Sequence, residues 1–352
     1  MADFSIVFIG FGKVGKAFAR MLIDKRETLE RLYGIRYKVV GISDIKYGSV
    51  VDDEGLDLPR ILEIAERGGK LDEYPRGKRD LDSLGVIEES DSNLMVEVTW
   101  TNVETGEPAL THIRKALTLG KHVITTNKGP VAVAYKELIE LAKRKDVFFR
   151  FEGTVLSGTP AITFAKEALA GCRINEIMGI LNGTTNYILT EMEKGLTYEE
   201  ALRRAQQLGY AEADPTADVE GWDAAAKAVI LANTILGGDL RVRDVERKGI
   251  VGITRDDIRR VLEENCRIKL LAKMWSEDGK VKARVRPEKV PLTHPLANVI
   301  GVTNAVTFRT DHLGEVTVVG PGAGPVETAQ ALLMDMIAIN NYMERGTPLQ
   351  KP

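Results

Sequence analysis

Residues 5–15 read SIVFIGFGKVG, and this stretch decides the fold. A short apolar run, Ser5–Ile9, leads into the pattern Gly-x-Gly-x-x-Gly and then into a helical pattern from Lys13 to about Tyr33. Glycines at these spacings permit a tight turn and a close approach of the backbone to a pyrophosphate, while the helix N-terminus supplies unpaired N–H groups. A glycine turn without a ligand is the alternative, and the strand–turn–helix context disfavours it. The residues predicted to bind a dinucleotide here are Gly10, Phe11, Gly12, Lys13, Val14 and Gly15.

The rest of the first 150 residues continues to alternate short apolar runs with helical patterns. This alternation predicts a Rossmann-type α/β domain with a doubly wound parallel sheet at residues 1–150. Residues 44–90 are charged and contain glycines, so we expect a variable excursion there with a short helix at Leu58–Arg67. The other predicted strands are Tyr37–Ser43, Leu94–Thr99, His122–Thr125 and Val147–Glu152, and the other predicted helices are Glu107–Leu119 and Val133–Arg144.

Residues 151–324 have a different order of elements, with helical patterns first and strand patterns after them. This order predicts a second, α+β domain that binds the substrate. We expect a last helix within residues 325–352 to return and pack on the first domain. The predicted helices are Pro160–Ala170, Tyr198–Leu208, Trp222–Leu236 and Thr254–Lys273, and the predicted strands are Lys280–Arg286, Asn298–Phe308 and Gly314–Val319.

The composition excludes several classes of function. The net charge of −3 offers no basic excess for nucleic acid, and no apolar run approaches the roughly 20 residues of a membrane helix. The four histidines are scattered, which argues against metal catalysis. Cys172 and Cys266 form neither a disulfide framework nor a metal motif, and Cys266 lies in a helical pattern that predicts a core position. We therefore expect a cytoplasmic protein with no nucleic-acid or membrane partner.

The end of the second predicted strand bears on which dinucleotide binds. Asp44 can accept a hydrogen bond from the ribose 2′-hydroxyl of NAD. Ser43 and Lys46 can instead hold the 2′-phosphate of NADP, or they can be an exposed strand–loop junction. The prediction leans slightly to NADP and leaves NAD open.

Two later strand ends are expected to line the same crevice, because ligands of open parallel sheets bind at the carboxyl ends of the strands. One strand end contains Thr99 and Thr101, and the next contains Lys128. A lysine there can reach the nicotinamide end of the coenzyme and a substrate oxygen, although a solvated loop lysine is an equal alternative. We include all three residues among the candidate coenzyme contacts.

The most informative stretch for the chemistry, residues 209–232, reads GYAEADPTADVEGWDAAAKAVILA. Asp223 and Lys227 lie four residues apart and share a helical face. A surface ion pair is the simple alternative, but the surrounding alanine and aliphatic residues leave no polar face, so the helix should be buried. Because aspartate and lysine are rarely buried without a partner or a purpose, we predict that this pair is functional.

Hydride transfer to an aldehyde requires a proton for the developing alkoxide, and it requires neither a nucleophile nor a metal. Desolvation lowers the pKa of a lysine, which suits an ammonium group to exchange that proton near neutral pH. The carboxylates of Glu212, Asp214 and Asp218 suit a substrate ammonium group, although an acidic helix N-terminus also explains some of them. The pattern predicts an oxidoreductase.

Six motifs then appear in a recognisable order. They are the glycine turn, TNKGP at 126–130, NGTTNY at 182–187, the acidic stretch through Lys227, HPLA from His294, and GPGAG at 320–324. Over nearly the whole chain they resemble homoserine dehydrogenases. The resemblance implies interconversion of L-homoserine and L-aspartate 4-semialdehyde with NAD or NADP, in the pathway to threonine, methionine and isoleucine.

The resemblance also implies roles for individual residues. Lys227 would be the general acid and base, oriented by Asp223, and Lys128 would lie between nicotinamide and substrate. The implied substrate ligands are Glu212, Asp218, Asp223 and Thr184, with Gly324 capping the coenzyme. The family also implies a homodimer and a sodium ion bound by the backbone carbonyls of Glu152, Val155, Ser157 and Thr159.

Two other readings stay open. One is a related nicotinamide-dependent amino-acid or semialdehyde dehydrogenase on the same fold, including a thioester enzyme that would need a nucleophilic cysteine. The other is a dinucleotide sensor without catalysis, which would have no use for a buried Asp–Lys pair.

Overall fold

The computed structural model describes residues 2–345 of the chain. The chain divides into a first unit, Met1–Thr154 together with Gly324–Pro352, and a second unit, Val155–Ala323. The predicted return of residues 325–352 is therefore described only as far as residue 345, and residues 346–352 lie outside the described part. None of the helices between residues 2 and 345 has the length and apolar character that a membrane crossing requires.

The first unit is built on a seven-stranded sheet in which five adjacent strands are parallel. Its strands are β1 (Ala2–Ile9), β2 (Ile35–Asp44), β3 (Gly48–Val51), β4 (Lys78–Arg79), β5 (Leu94–Glu97), β6 (His122–Thr125) and β7 (Phe149–Arg150). The order across the sheet is β4-β3-β2-β1-β5-β6-β7, with β3 and β4 antiparallel at one edge. Strand order reverses between β1 and β5, which is the switch point where such sheets bind ligands. The Rossmann-type prediction is confirmed.

Helices flank this sheet because its central strands are apolar on both faces. All four residues of β5 are buried, and the first helix contributes Phe18 and Leu22 to the same core. Gly34 ends that helix in the left-handed region at φ +62°, where only glycine is free of strain. The helices are α1 (Lys13–Tyr33), α2 (Leu58–Glu66), α3 (Ser83–Glu89), α4 (Ala109–Thr118) and α5 (Lys128–Arg144).

The predicted boundaries differ most from the structure where local signals are weak. The excursion at residues 44–90 contains β3, β4 and α3 besides the expected helix. α5 begins at Lys128 and not at Val133, because the side chain of Asn127 caps it by accepting the N–H of Gly129 at 3.1 Å. The last predicted strand of this region is reduced to the two residues of β7.

The second unit contains a six-stranded sheet that is antiparallel except at one edge. Its strands are β8 (Ile174–Ile180), β9 (Glu246–Arg247), β10 (Cys266–Glu277), β11 (Lys280–Pro291), β12 (Thr303–Thr310) and β13 (Glu315–Pro321). Their order is β13-β12-β8-β10-β11-β9, and only β9 and β11 run parallel. The helices are α6 (Gly183–Glu193), α7 (Tyr198–Gln207), α8 (Thr216–Val219), α9 (Trp222–Ile235) and α10 (Arg255–Glu263), after a π-helical turn at Phe164–Ala168.

The prediction of one helix over Thr254–Lys273 is wrong. α10 ends at Glu263, Asn265 takes a positive φ of +55°, and β10 follows. Residues 270–272 of β10 are all buried, and a continuous apolar run of this kind does not distinguish a strand from a buried helix. Cys266 therefore begins a strand and is half-buried, not a core residue of a helix.

The last helix, α11 (Pro325–Arg345), belongs to the first unit and packs against α1. Leu332 and Met336 join the core that contains Phe18. The fully buried Asp335 accepts the backbone N–H of Glu152 and pairs with Arg150, both at 3.0 Å. Burial raises the pKa of Asp335 to about 6, against the opposing effect of Arg150. Further along α11, the side-chain amide of Asn340 donates to the carbonyl of Tyr33 at the end of α1.

Candidate active site

The glycine turn has three glycines with three different surroundings. Gly10 has φ +95°, and a Cβ there would lie 2.6 Å from the carbonyl oxygen of Val98. A Cβ on Gly15 would lie 2.8 Å from the carbonyl oxygen of Gly10, so this glycine lets the helix approach the strand. A Cβ on Gly12 would meet nothing within 4 Å. The open space beside Gly12, at the N-terminus of α1, fits a pyrophosphate.

The electrostatics of this helix end also suit an anion. Gly12 is the N-cap of α1, no side chain caps it, and the first turn contains no acidic residue. Lys13 is exposed in that turn. Unpaired N–H groups at a helix start bind phosphate without further help from side chains. The turn therefore fits the dinucleotide that the sequence predicts.

Asp44 is positioned by the backbone around it. Its Oδ2 accepts the N–H of Phe11 at 2.6 Å, and its Oδ1 accepts those of Lys46 and Tyr47 at 2.8 and 3.2 Å. Three of the roughly four acceptor sites of a carboxylate are thus used to join the glycine turn to the end of β2. One acceptor site remains for a ribose hydroxyl. Asp44 can therefore bind the ribose of NAD, as predicted, while it also joins the glycine turn to the end of β2.

Two lysines converge on Tyr47 beside the end of β2. The ammonium of Lys16 donates to the hydroxyl of Tyr47 at 3.1 Å, and the ammonium of Lys46 lies 5.2 Å from its ring centroid. The hydrogen bond from Lys16 lowers the pKa of Tyr47. Ser43 is half-buried in the same place, and its carbonyl accepts the N–H of Gly10. Lys16, which the sequence analysis did not single out, adds a second cation to the predicted 2′-phosphate site.

The ends of β5 and β6 are joined through one buried carboxylate. Glu97 is fully buried and accepts the N–H of Thr99 at 3.1 Å and the hydroxyl of Thr125 at 3.1 Å. Asn127 donates to the carbonyl of Thr99 and caps the helix that begins with Lys128. The predicted Thr99 is therefore held in place.

The other two predicted contacts of this region differ in exposure. Lys128 is half-buried at the first position of α5, and Thr101 is exposed. Gly324, with φ +127°, directly precedes α11. The coenzyme contacts of these residues stay predictions.

The second unit carries the predicted Asp–Lys pair. Every residue of α9 from Ala224 to Thr234 is buried, and Lys227 is only 7% exposed. Its ammonium lies 2.7 Å from Oδ2 of Asp223 and 2.7 Å from the carbonyl oxygen of Leu181. The structure thus brings together a desolvated ammonium and a carboxylate on an apolar helix, as the sequence predicts.

A third carboxylate and an amide complete this cluster. Asn182, the N-cap of α6, donates from Nδ2 to Asp218 at 2.6 Å and to Asp223 at 3.0 Å. Burial and the charge of Asp223 raise the pKa of Asp218, while hydrogen bonds from Asn182 and Thr184 lower it. The charge of Lys227 also lowers this pKa, but within residues 2–345 no lysine or arginine pairs directly with Asp218, so a substrate ammonium group would be a suitable partner.

The predicted substrate ligands Thr184 and Glu212 differ in burial. Thr184 is buried in α6 and donates to the carbonyl of Tyr210 at 2.7 Å, so it anchors the loop that contains Glu212. Glu212 itself is exposed, and its carboxylate is not part of the cluster formed by Asn182, Asp218, Asp223 and Lys227. Asp214 is exposed too, and it accepts the N–H of Thr216, the first residue of α8, at 3.1 Å. For Asp214, the alternative of an acidic residue at a helix start therefore fits better than a substrate ligand.

No cluster of three or more His, Cys, Asp or Glu side chains within residues 2–345 could hold a metal ion. The expected sodium ligands are backbone carbonyls, to which this finding does not apply. Ser157 has a positive φ of +51°, and its N–H donates a hydrogen bond to the carbonyl oxygen of Val155 at 2.8 Å. Thr159 donates to the carbonyl of Pro321, and Glu152 is buried. The sodium ion stays a prediction.

Comparison with known protein families decides the relationship. Residues 10–152 match the model of the homoserine dehydrogenase NAD-binding domain, and residues 160–337 match the model of the homoserine dehydrogenase domain. The chain belongs to the homoserine dehydrogenase family. Members are NAD(P)-dependent oxidoreductases, so the predictions of family, fold and enzyme class are confirmed.

Individual homoserine dehydrogenases resemble this chain over almost its full length. One from Methanocaldococcus jannaschii is 49% identical, over 97% of this chain and 99% of its own. An NAD(+)-dependent homoserine dehydrogenase from Pseudomonas canavaninivorans is 45% identical, over 98% of both chains. A solved homoserine dehydrogenase from a hyperthermophilic archaeon, in complex with NADPH, has a TM-score of 0.83 at 33% identity and covers 99% of this chain and 100% of its own. Similar members thus differ in the coenzyme that their names carry.

Besides Lys16, sequence reasoning missed two residues that organise the candidate site, Asn182 and Glu97. Asn182 lies in the NGTTNY motif, and its preference for helix N-caps was a usable signal for the start of α6. That its amide faces Asp218 and Asp223 had no local signal, because those residues lie 36 and 41 positions away. Glu97 gave no signal either, because a single glutamate in an otherwise apolar strand pattern does not indicate a function.

Proposed function

We propose that this protein is a homoserine dehydrogenase that interconverts L-homoserine and L-aspartate 4-semialdehyde with NAD or NADP. The observation that carries the proposal is the Lys227 ammonium, desolvated on α9 and held between Asp223 and the carbonyl of Leu181. A nucleotide-binding member without catalysis would have no use for this arrangement, because a buried ion pair costs desolvation energy that a surface pair does not.

The chain's residues supply a proton and a binding site. When bound, the coenzyme supplies the hydride that reduces the aldehyde carbon. Lys227 donates its proton to the carbonyl oxygen as that oxygen becomes an alkoxide, and in the oxidation it accepts the proton of the substrate hydroxyl. The same ammonium stabilises the negative charge while it develops. Asp223 orients Lys227 through their 2.7 Å contact.

The substrate's ammonium group is proposed to bind at the carboxylates of Asp218 and Asp223. Asp218 is half-buried, it accepts a hydrogen bond from Asn182 at 2.6 Å, and within residues 2–345 it forms no ion pair with a lysine or arginine. Thr184 would support the site through the Tyr210 loop. Glu212 is proposed as a further ligand at the exposed entrance of this loop.

The coenzyme is proposed to bind the first unit, with its pyrophosphate at Gly10–Gly15 and Thr99, Thr101, Lys128 and Gly324 as further contacts. Lys16 and Lys46, converging on Tyr47 beside Ser43, support a site for the 2′-phosphate of NADP. The remaining acceptor site on Asp44 supports NAD. We favour NADP because Lys16 and Lys46 would both attract a 2′-phosphate, whereas the carboxylate of Asp44 is already hydrogen-bonded to three N–H groups.

Three further proposals follow from family membership. The protein is proposed to act in the cytoplasm, in the pathway to threonine, methionine and isoleucine. It is proposed to bind sodium at residues 152–159. It is also proposed to form a homodimer through the sheet of the second unit, where β13 is an edge strand whose residues are mostly only partly buried and where Val319 is 52% exposed.

The direct test is an absorbance assay for reduced nicotinamide with L-homoserine and NAD or NADP. We expect turnover with L-homoserine and little with 2-hydroxy acids or other small amino acids. Higher turnover with another amino acid would favour the related dehydrogenase. Coenzyme binding without turnover of any substrate would favour the sensor. Loss of activity on alkylation of Cys172 or Cys266, with protection by substrate, would favour the thioester enzyme.

A further inference from the structure

Asn182 occupies a central position in the second unit that the proposed chemistry does not explain. It is buried, and its single amide group contacts three parts of the chain. Nδ2 donates to Oδ1 of Asp218 on α8 at 2.6 Å and to Oδ2 of Asp223 on α9 at 3.0 Å. Oδ1 accepts the N–H of Thr185 in the first turn of α6 at 2.9 Å. One side chain therefore joins three helices.

The orientation of this amide has no alternative. Turning it over would point the amide oxygen at two carboxylates and the NH₂ group at the N–H of Thr185, so that these three contacts would become repulsive and only the contact with the Thr185 hydroxyl would remain favourable. α6 is also fixed one turn further on, where Oδ1 of Asn186 accepts the ammonium of Lys269 at 3.0 Å. That same ammonium donates to the carbonyl of Val299 at 2.7 Å. The two donor hydrogens of Asn182 are therefore held in place before any substrate binds.

The residue before Asn182 constrains the other partner of the cluster. The carbonyl of Leu181 accepts the Lys227 ammonium at 2.7 Å, and Lys227 contacts the same Oδ2 of Asp223 that Asn182 contacts. Two adjacent residues at the start of α6 thus fix the direction of Asp223, Lys227 and Asp218 together. Two carboxylates this close repel each other, and a neutral donor between them reduces the repulsion without consuming either charge.

We propose that Asn182 is a positioning residue that spaces the carboxylates of Asp218 and Asp223 for a substrate ammonium group and aligns Asp223 with Lys227. This inference rests on the proposed function. A neutral amide suits this task, because a lysine or arginine here would satisfy the carboxylates and leave nothing for the substrate to neutralise. The selected substrates are amino acids with a free ammonium group, and hydroxy acids of the same length lack the cation.

The discriminating variant is Asn182→Asp, which keeps the shape and the oxygen that caps α6 but replaces both donors by an acceptor. The cap of α6 should survive this change, because aspartate is an equally good cap, so any loss of activity reports on the contacts with Asp218 and Asp223. If it spaces the carboxylates, kcat/KM for L-homoserine should fall about 10- to 100-fold, as expected for lost hydrogen bonds to charged groups. KM for L-homoserine should rise and kcat should fall, while the dissociation constant of the coenzyme stays within about twofold.

A double variant separates positioning from general damage. Asn182→Asp combined with Asp218→Asn exchanges amide and carboxylate between α6 and α8, so one amide–carboxylate hydrogen bond and the net charge are retained. We expect the double variant to exceed by at least about fivefold the activity calculated as the product of the two single effects. Asn182→Ser, which keeps the cap and one donor, should lie between wild type and Asn182→Asp, and it replaces the aspartate variant if that protein does not fold.

The outcomes are distinguishable from failure of the proposed function. If the wild-type protein does not turn over L-homoserine, the proposed function fails. If the wild type is active and Asn182→Asp keeps kcat and KM within about twofold, the spacing role is refuted. A double variant no better than the product of the single variants would refute it as well.

Discussion

The two units build their binding sites from different materials. In the first unit the glycine turn offers backbone N–H groups and empty space, and a Cβ on Gly12 would meet nothing within 4 Å. In the second unit the cluster around Lys227 consists of two half-buried carboxylates, a buried ammonium and a buried neutral amide, contributed by three helices. The proposed first site depends on the absence of side chains, and the proposed second site depends on polar side chains held close together away from solvent.

This difference governs how each site should respond to mutation. A backbone site tolerates changes of charge nearby but not added atoms. A site of buried side chains tolerates changes of size at its edge but not the loss of one charge, because breaking a buried pair leaves the other charge uncompensated, at a cost of about 3–5 kcal/mol.

The largest effect is expected for Lys227→Met, which removes the proton donor. We expect kcat for L-homoserine to fall by about a thousandfold or more, while coenzyme binding is retained, because general acid catalysis and charge stabilisation are lost together. Steady-state kinetics and coenzyme fluorescence titration would measure the two effects. The exposed Lys248→Met is the matched control and should be silent. Unchanged turnover of Lys227→Met would refute the assigned role.

The next effect concerns the backbone site and compares two glycines. Gly12→Ala should fold normally, because its φ of −73° is open to alanine, but its methyl group would occupy the space of the pyrophosphate. We expect coenzyme affinity to fall about 10- to 100-fold, equivalent to ~1.4–2.8 kcal/mol. Gly10→Ala should instead lower thermal stability, because its Cβ would lie 2.6 Å from Val98 O. If Gly12→Ala binds the coenzyme as well as wild type, the phosphate does not approach this glycine.

A smaller effect is the pH dependence of substrate binding. Burial raises the pKa of Asp218 above its ordinary value of 3.8, so protonation begins at a higher pH than for an exposed aspartate. As the pH falls through that raised pKa, Asp218 loses its charge, and kcat/KM for L-homoserine should fall with it. The pH profile of Asp218→Asn should lack this acidic limb at a lower plateau. An identical limb in both proteins would assign the titration to another group.

The smallest effect is expected at the edge of the first site. Lys46→Ala should weaken NADPH binding about threefold to tenfold and leave NADH binding unchanged, since an exposed cation contributes little beyond its contact with the 2′-phosphate. The exposed Lys25→Ala on α1 is the control. Equal losses for both coenzymes would show that Lys46 supports the loop and not the phosphate, and would remove one of the two cations on which the proposed NADP preference rests.

The first site could be predicted closely from sequence, and the second only in part. The glycine turn is contiguous, and the strand–turn–helix context that gives it meaning lies within about 30 residues. The Asp223–Lys227 pair was predictable for the same reason, since one helical turn joins its members. Asn182 and Glu97 were not, because the groups they contact come from other elements.

Errors in the fold have the same origin. The helix predicted over Thr254–Lys273 failed where β10 begins, because a run buried on both sides shows neither a period of two nor one of 3.6. α6 was not predicted, although its N-cap Asn182 was in view, because nine of its eleven residues are buried and no polar face marks it as a helix.

By itself, the sequence determined the Rossmann-type first unit, the family, and the existence of a buried lysine–aspartate pair. These depend on residues near each other in the chain, whose spacing and polarity act through local backbone geometry. Only the tertiary structure decided which carboxylates face each other, that Asn182 lies between them while Glu212 is left exposed, and that Lys16 and Lys46 meet at Tyr47. Those contacts depend on how helices and strands distant in sequence pack, and hydrogen bonds and charges act over a few ångströms whatever the separation along the chain.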